Sequence, residues 1–300
     1  MQIPQLVPSL ILEGRWKKKK YKIKKKLGEG GIATVYLVEN MENNKEYALK
    51  ISKDNFSINR EYALLKKFDK VDMIVNAYEI DDWEVKGEIY YYIVLEYIEG
   101  RTLKEYCEKN KLDKSTIISI ILIILKGIYS FHSEEYIVGD LKLENIMLDK
   151  KKKQLKFIDL GGVVKKGENI KEFTPLYDRA SWRCGVRRAE ASYDIFTVMI
   201  LFARLLLNES IYPAKYTIDD VIRSLKKLDL GKALHEYIIE GLIYNQKPLI
   251  YFIQELQNLY TVEKVKLKER KKLLKERKIN LLLGLSMFFF MITIIFIFLT

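Results

Sequence analysis

Residues 136–148 read "YIVGDLKLENIML". An acid, a cation and an amide (Asp140, Lys142 and Asn145) stand at the spacing D-x-K-x-x-N between two apolar runs. Read alone, the stretch is a catalytic-loop candidate. The two residues in front of the acid, Val138 and Gly139, need an explanation. Fold and chemistry both turn on whether the flanking segments supply the rest of a site.

Working outward, "KFIDLGG" (156–162) follows the hairpin turn "DKKKKQ" and delivers Asp159 to a glycine turn. Upstream, "STIISIILIILKGIYSFH" (115–132) is long, apolar and helical in pattern. Its charge-free part is short for a membrane span and suits a buried core helix. "EIYYYIVLEYIEG" (88–100) reads as a strand ending in a turn, and "INREYALLKKF" (58–68) as a helix carrying Glu61. In the strand "EYALKIS" (46–52), the period of two puts Ala48 and Lys50 on one face. A lysine on an apolar face needs a partner, which Glu61 can supply; by itself Glu61 reads as an exposed helix residue. "YKIKKKLGEGGIATVYLVEN" (21–40) reads strand, turn, strand. Gly28, Gly30 and Gly31 let the backbone approach an anion. A lone G-x-G is a weak signal; a dinucleotide fold would place a helix after the glycines, whereas the β-branched "TVYLV" places a strand there, which favours a nucleotide-covering hairpin over a dinucleotide-binding turn.

In this order and spacing the segments resemble the bacterial eukaryotic-like (Hanks-type) serine/threonine protein kinases. "LGEGGIATVYLV" is similar to their glycine-rich loop, "YALK" to the lysine strand, "SFHSEEYIVGDLKLENIML" to the catalytic loop and "DLG" to the metal-binding turn. "SYDIFTVMILFARLL" (192–206), with Asp194 near its start, resembles the family's buried central helix. The likeness runs from about Tyr21 to about Tyr260.

The resemblance implies an α+β, bilobal fold: a small β-rich N-lobe over residues 21–98 and a larger helical C-lobe over 99–262. It also implies ATP and Mg²⁺, with Mn²⁺ an alternative. Leu27, Gly28 and Gly30 would cover the phosphates, and Lys50, held by Glu61, would bind them. Val35, Ala48 and Met147 would sandwich the adenine. Leu95 takes the gatekeeper place, with Glu96 to Ile98 as hinge backbone. Asn145 and Asp159 would hold the metal, Asp140 would take the proton of the substrate hydroxyl, and Lys142 would neutralise the γ-phosphate. Lys142 and Thr174 favour a Ser or Thr hydroxyl on a protein over a small molecule. The competing implications are a pseudokinase scaffold and a small-molecule kinase.

Several positions depart from the family pattern. Ala33 replaces the third loop glycine, Leu160 replaces the Phe of the metal-binding turn, and Glu61 follows Lys50 by only 11 residues. Trp182 stands where the acid closing the activation segment is expected, and the late region around Lys247-Pro248 has no clear arginine partner. Val138 and Gly139 replace the His-Arg pair before the catalytic Asp. The first is a scaffold position that an apolar residue can fill. The second normally binds an activation-loop phosphate, so activity is expected not to depend on phosphorylation at Thr174 or Ser181. His132 lies eight residues before Asp140 and does not replace the missing histidine.

The composition is globular, with 49% hydrophobic and 31% charged residues. Cys107 and Cys184, far apart, suggest neither a disulfide framework nor a zinc site; His132 and His235 are too scattered for a metal cluster. The net charge of +12 sits in two runs: nine basic residues in Arg15–Lys26, and nine basic against two acidic in Lys264–Lys278. The rest of the chain is weakly acidic, which excludes a generally basic nucleic-acid binder. The plain reading of each run is a solvated face; the alternatives are contact with anionic lipid or DNA, and self-association is a further expected mode of activation.

Ile279–Thr300 carries no charged residue and is long enough to span a bilayer of about 30 Å as one helix. The basic flank at 263–278, which reads as a helix running into the span, sets the orientation. The expectation is a single-pass tail anchor in the cell membrane, with the kinase domain cytoplasmic and the C-terminus on the far side. Residues 1–20 form an extension without an assigned role. They are not a signal peptide, because the apolar "LVPSLIL" precedes the basic run and contains Pro8.

Overall fold

The computed structural model describes residues 5–209, 211–244 and 246–299. In the N-terminal part, β1 (Ile11–Glu13), β2 (Lys20–Glu29), β3 (Ala33–Asn40), β4 (Glu46–Ser52), β5 (Ala77–Val85) and β6 (Glu88–Glu96) form one antiparallel sheet. Its strand order is β1-β2-β3-β4-β6-β5. Helix α1 (Asn55–Lys67) is capped by the Asp54 carboxylate, which accepts from the Ser57 N–H. The period of two sorts β4 cleanly. Leu49 and Ile51 join an outer apolar cluster, while Ala48 joins the main core and Lys50 lines the central cleft.

Residues 5–20 do not stand apart as an extension; they belong to the N-lobe. β1 pairs with β2, opposing Leu12 to Tyr21. Leu6 and Leu12 are buried in the outer cluster with Tyr36, Ile51 and Trp83. The chain then crosses to β5 at the opposite edge of the sheet. The Arg15 N–H donates to the Asp82 carbonyl at 2.8 Å, and the Trp16 and Lys17 N–H groups donate to the Asp81 carboxylate at 3.0 and 2.8 Å. Leu12→Ala is expected to cost about 3 kcal/mol, because a fully buried leucine leaves a cavity. The melting temperature should fall by about 6 °C or more. Ile11→Ala, on the exposed face of the same strand, should melt within about 2 °C of the wild type.

Strand β5 was not legible in the sequence because two of its inward positions are acids. Glu79 and Asp81 are each 3% exposed. Glu79 accepts from Lys19 Nζ at 2.7 Å and from the Tyr21 hydroxyl at 2.6 Å. Other acids of the sheet pair with much of the rest of the first basic run. Arg15 pairs with Glu84, Lys20 with Glu13, Lys24 with Glu39 and Lys26 with Glu29.

The C-terminal part is helical. After β7 (Gly100–Thr102) come α2 (Leu103–Lys109), α3 (Lys114–His132), β8 (Tyr136–Ile137) and a 3-10 turn at Leu143–Asn145. Then follow β9 (Ile146–Asp149), β10 (Gln154–Phe157), β11 (Val164–Lys165), α4 (Ala191–Leu207), α5 (Ile218–Lys226), α6 (Lys232–Ile243) and α7 (Leu249–Leu299). Every residue of α4 from Tyr193 to Ala203 is buried. α3 is long and apolar enough to cross a membrane, yet Ile121, Ile124, Leu125, Ile128 and Phe131 are fully buried against the core. It is the core helix that the sequence suggests.

α7 runs as one helix of 51 residues, about 76 Å at 1.5 Å per residue. Leu249, Phe252, Ile253 and Leu256 root it in the core. Lys114–Glu263, at 2.9 Å, ties it to α3. Farther on, side chains such as Leu273, Leu281 and Phe288 are exposed. The basic segment is therefore helical and continuous with the apolar end.

Candidate active site

One cleft of about 800 Å³ lies between the two parts. Leu27, Gly28, Gly30, Val35, Ala48, Lys50, Glu61, Leu95, Glu96 and Ile98 line it from the N-terminal side; Asp140, Lys142, Asn145, Met147, Asp159 and Thr174 line it from the other. All the site residues expected from the sequence meet in this space. The Glu96 side chain is engaged by Lys152 Nζ at 2.7 Å and Asn76 Nδ2 at 3.2 Å.

On the upper wall, Lys50 Nζ donates to Glu61 at 2.8 Å and to Asp159 at 3.1 Å. Glu61 is buried, so the exposed-helix reading fails and the ion-pair reading holds. Burial alone would depress the Lys50 pKa; the Glu61 and Asp159 carboxylates outweigh it and hold the pKa above its ordinary value. Burial pushes Glu61 up, against the pull of Lys50. Burial also opposes ionisation of Asp159, but Lys50 and the Gly161 N–H, at 2.8 Å, keep its carboxyl below the usual range.

On the lower wall, three side chains close a triangle. Lys142 Nζ donates to Asp140 Oδ2 at 2.6 Å, the Thr174 hydroxyl donates to Asp140 Oδ1 at 2.8 Å, and Lys142 lies 3.4 Å from Thr174. Asn145 Nδ2 donates to the Asp140 carbonyl at 3.3 Å, which leaves its Oδ1 for the cleft. Asp159 likewise engages Lys50 and Gly161 through Oδ1 and keeps Oδ2 available. Two hard oxygen donors suit Mg²⁺, which takes few protein ligands and fills its shell with water and phosphate oxygens. Among the described residues no cluster of three His, Cys, Asp or Glu forms a metal cage.

The catalytic loop is hung from α4. The buried Asp194 carboxylate accepts the Val138 N–H at 2.8 Å, the Gly139 N–H at 3.0 Å and His132 Nε2 at 2.8 Å. His132 thus helps to hold the loop, a role the sequence did not reveal. Val138 packs in the core. Gly139 has φ +75°, and a Cβ there would meet the Gly162 carbonyl oxygen at 2.7 Å and Ile170 Cδ1 at 3.2 Å. A Cβ on Gly162 would in turn stand 2.7 Å from that of Asp140. The two glycines let the catalytic loop press against the segment that follows Asp159. Gly139 therefore has a positive structural reason beyond the loss of an arginine.

The far end of that segment carries an acid–arginine anchor, but from other positions. Asp178, fully buried, accepts from Arg187 at 2.8 Å, the Ser181 hydroxyl at 2.6 Å and the Tyr193 hydroxyl at 2.9 Å. Burial would raise its pKa; these bonds override it and hold the carboxyl low. Arg187 also stacks on Phe173, 3.8 Å from the ring centre. Trp182 is core, its indole N–H donating to the Leu176 carbonyl at 2.7 Å. Lys247 pairs with Glu240. Two cleft residues that the sequence did not single out are Arg60, next to Glu61, and Glu172.

The family model described as "Protein kinase domain" matches residues 21–272. The chain is 33% identical over 202 residues to the serine/threonine-protein kinase YabT of Bacillus subtilis (strain 168), covering 65% of this chain and 58% of that protein. It is 31% identical over 221 residues to the serine/threonine-protein kinase PknG of Mycobacterium leprae (strain TN), covering 69% of this chain and 27% of that protein. A third relative, the serine/threonine-protein kinase PrkC of Bacillus subtilis (strain 168), is 34% identical over 138 residues, 43% of this chain and 21% of that protein. The chain thus spans less than two thirds of the length of each of these relatives.

Proposed function

The chain belongs to the protein kinase family, and from that membership we propose that it is an ATP-dependent serine/threonine protein kinase carried on a membrane by its C-terminal helix. The observation that carries the reading is the triangle of Asp140, Lys142 and Thr174 facing Lys50, Glu61 and Asp159 across one cleft. Phosphoryl transfer needs positioning and neutralised charge, and these groups supply both. Lys50, clamped by two carboxylates, presents its cation to the α- and β-phosphates of ATP. A divalent cation, when bound at Asp159 and Asn145, supplies charge neutralisation at the phosphates. Asp140 orients the substrate hydroxyl and accepts its proton, and Lys142 neutralises charge as it develops on the transferred group. Thr174 holds Asp140 by a hydrogen bond, which fixes the direction in which the carboxylate faces.

The uncharged stretch 279–300 after a basic flank supports the membrane reading, with the kinase domain cytoplasmic. The substrates in this reading are proteins with Ser or Thr. The second basic run is the better candidate for anionic lipid or DNA, since acids neutralise much of the first. Self-association in the membrane would bring one kinase domain to another.

The test is phosphate transfer by the purified full chain with Mg-ATP to itself and to a generic Ser/Thr-containing protein. Wild type should label Ser and Thr, and Lys50→Ala should lower the rate by about 10²-fold or more, because the phosphates lose their buried cation. Nucleotide binding without transfer in the wild type would make the chain a scaffold and overturn the proposal.

A further inference from the structure

Gly139 has no side chain to hold a phosphate, yet the segment after Asp159 is seated firmly against α1. The contacts that seat it are on α1 itself. Glu61 pairs with Lys50 and lies 3.4 Å from the Leu160 N–H. The residue before it, Arg60, donates to the Gly161 carbonyl and pairs with Glu172 at 3.8 Å. Two consecutive α1 residues thus engage two consecutive residues of the Asp159 turn, and Arg60 extends the hold 11 residues further to Glu172.

The hydroxyls offer no alternative. Between Gly161 and Glu190 the sequence has three: Thr174, Tyr177 and Ser181. Thr174 is bonded to Asp140, Ser181 to Asp178, and the Tyr177 hydroxyl accepts from Arg204 at 2.5 Å. A phosphate on any of them would break a bond that already holds the site together.

We propose that Arg60 and Glu172 form a lock that keeps α1 seated against the segment after Asp159 without any phosphate. The inference rests on the phosphotransferase reading. Arg60 is a positioning residue: it acts through Glu61, the Asp159 turn and the segment, and touches no reacting atom. The ion pair is partly exposed, with side-chain exposures of 30% and 38%, so its own contribution is modest. The charged hydrogen bond to Gly161 adds the larger share.

The full chain is treated with a phosphatase, residues 161–190 are checked by mass spectrometry, and initial rates are measured. Wild type should keep its rate without phosphate. Arg60→Gln should lower kcat about tenfold and Glu172→Gln about threefold, with KM for ATP changing less. The double variant should fall no further than Arg60→Gln, because both changes remove one unit. Arg60→Lys, which keeps the charge, should recover much of the rate. Amide exchange over residues 160–173 should accelerate in Arg60→Gln. Multiplying losses in the double variant, an unchanged kcat in Arg60→Gln, or a wild type that works only when this segment is phosphorylated would each overturn the lock. A wild type without any transfer would overturn the kinase reading; amide exchange would still decide the lock, since an unchanged pattern in Arg60→Gln refutes it.

Discussion

Asp140→Asn is expected to lower kcat by about 10³-fold while the protein stays folded and binds ATP within about threefold of wild type. The substitution keeps the shape of the side chain. Thr174 can still donate to the remaining oxygen. The other oxygen, 2.6 Å from Lys142 Nζ, becomes an NH₂ group, so two donors face each other and the triangle opens. In the proposed mechanism the substrate hydroxyl then loses its base, and Lys142 loses the partner that aims it. A factor of 10³ is about 4 kcal/mol of transition-state stabilisation. ATP binding should survive because Lys50, Glu61 and Asp159 are untouched. Equal losses in ATP affinity and kcat would mean that Asp140 binds substrate rather than serving the chemical step; an unchanged kcat would remove it as the base. Initial rates and nucleotide titration on the same preparation decide between these outcomes.

Asp194→Ala acts on folding first and on activity as a consequence. It removes the acceptor for two buried amides, Val138 N–H and Gly139 N–H, and for His132. An unsatisfied buried donor costs about 1–3 kcal/mol. Three of them sum to about 5 kcal/mol, comparable to the whole stability of a marginal domain. The melting temperature should drop by about 10 °C or more, with activity falling even where the chain remains folded, because the loop carrying Asp140 loses its suspension. Asp194→Asn, which retains one acceptor oxygen, should fall between the two. His132→Ala would release one of the three bonds and cost correspondingly less. Were Asp194→Ala to melt like the wild type, the catalytic loop would be held by something other than α4. The two aspartates should therefore separate cleanly: Asp140→Asn folded and inactive, Asp194→Ala inactive because it is loosened.

Much of the site was legible because its chemistry is written in residue identity and short spacing. Asp140, Lys142 and Asn145 fall within six residues, and Asp159 is marked by the glycines after it. Lys50 is marked by its place on an apolar strand face. The core helices α3 and α4 were legible for the same reason, as continuous apolar runs. Other features failed to show for a common cause. β5 hides behind Glu79 and Asp81, acids whose partners, Lys19, Tyr21 and the amides of Trp16 and Lys17, lie about 60 residues earlier. The extension looked roleless because those acids are what it binds. The Asp178–Arg187 pair did not show because nothing in its spacing marks Asp178 as a buried acid.

The sequence by itself therefore determined which groups line the proposed site: two acids, two cations and an amide, at spacings that local backbone geometry turns into one loop and one turn. The tertiary structure decided what holds them. Asp194 for the catalytic loop and Glu172 for Arg60 are matched across distant parts of the fold, and the Glu61 partner that the sequence offers Lys50 meets it only when α1 packs on the sheet. Much of this support is buried, where an unpaired charge or amide is costly. Pairing of that kind is a property of how elements pack, and one-dimensional spacing does not encode it. The apparent defect before Asp140 is resolved in the same way. Gly139 is the residue that a left-handed turn pressed against Gly162 requires, and only the packed structure reveals the neighbour that imposes it.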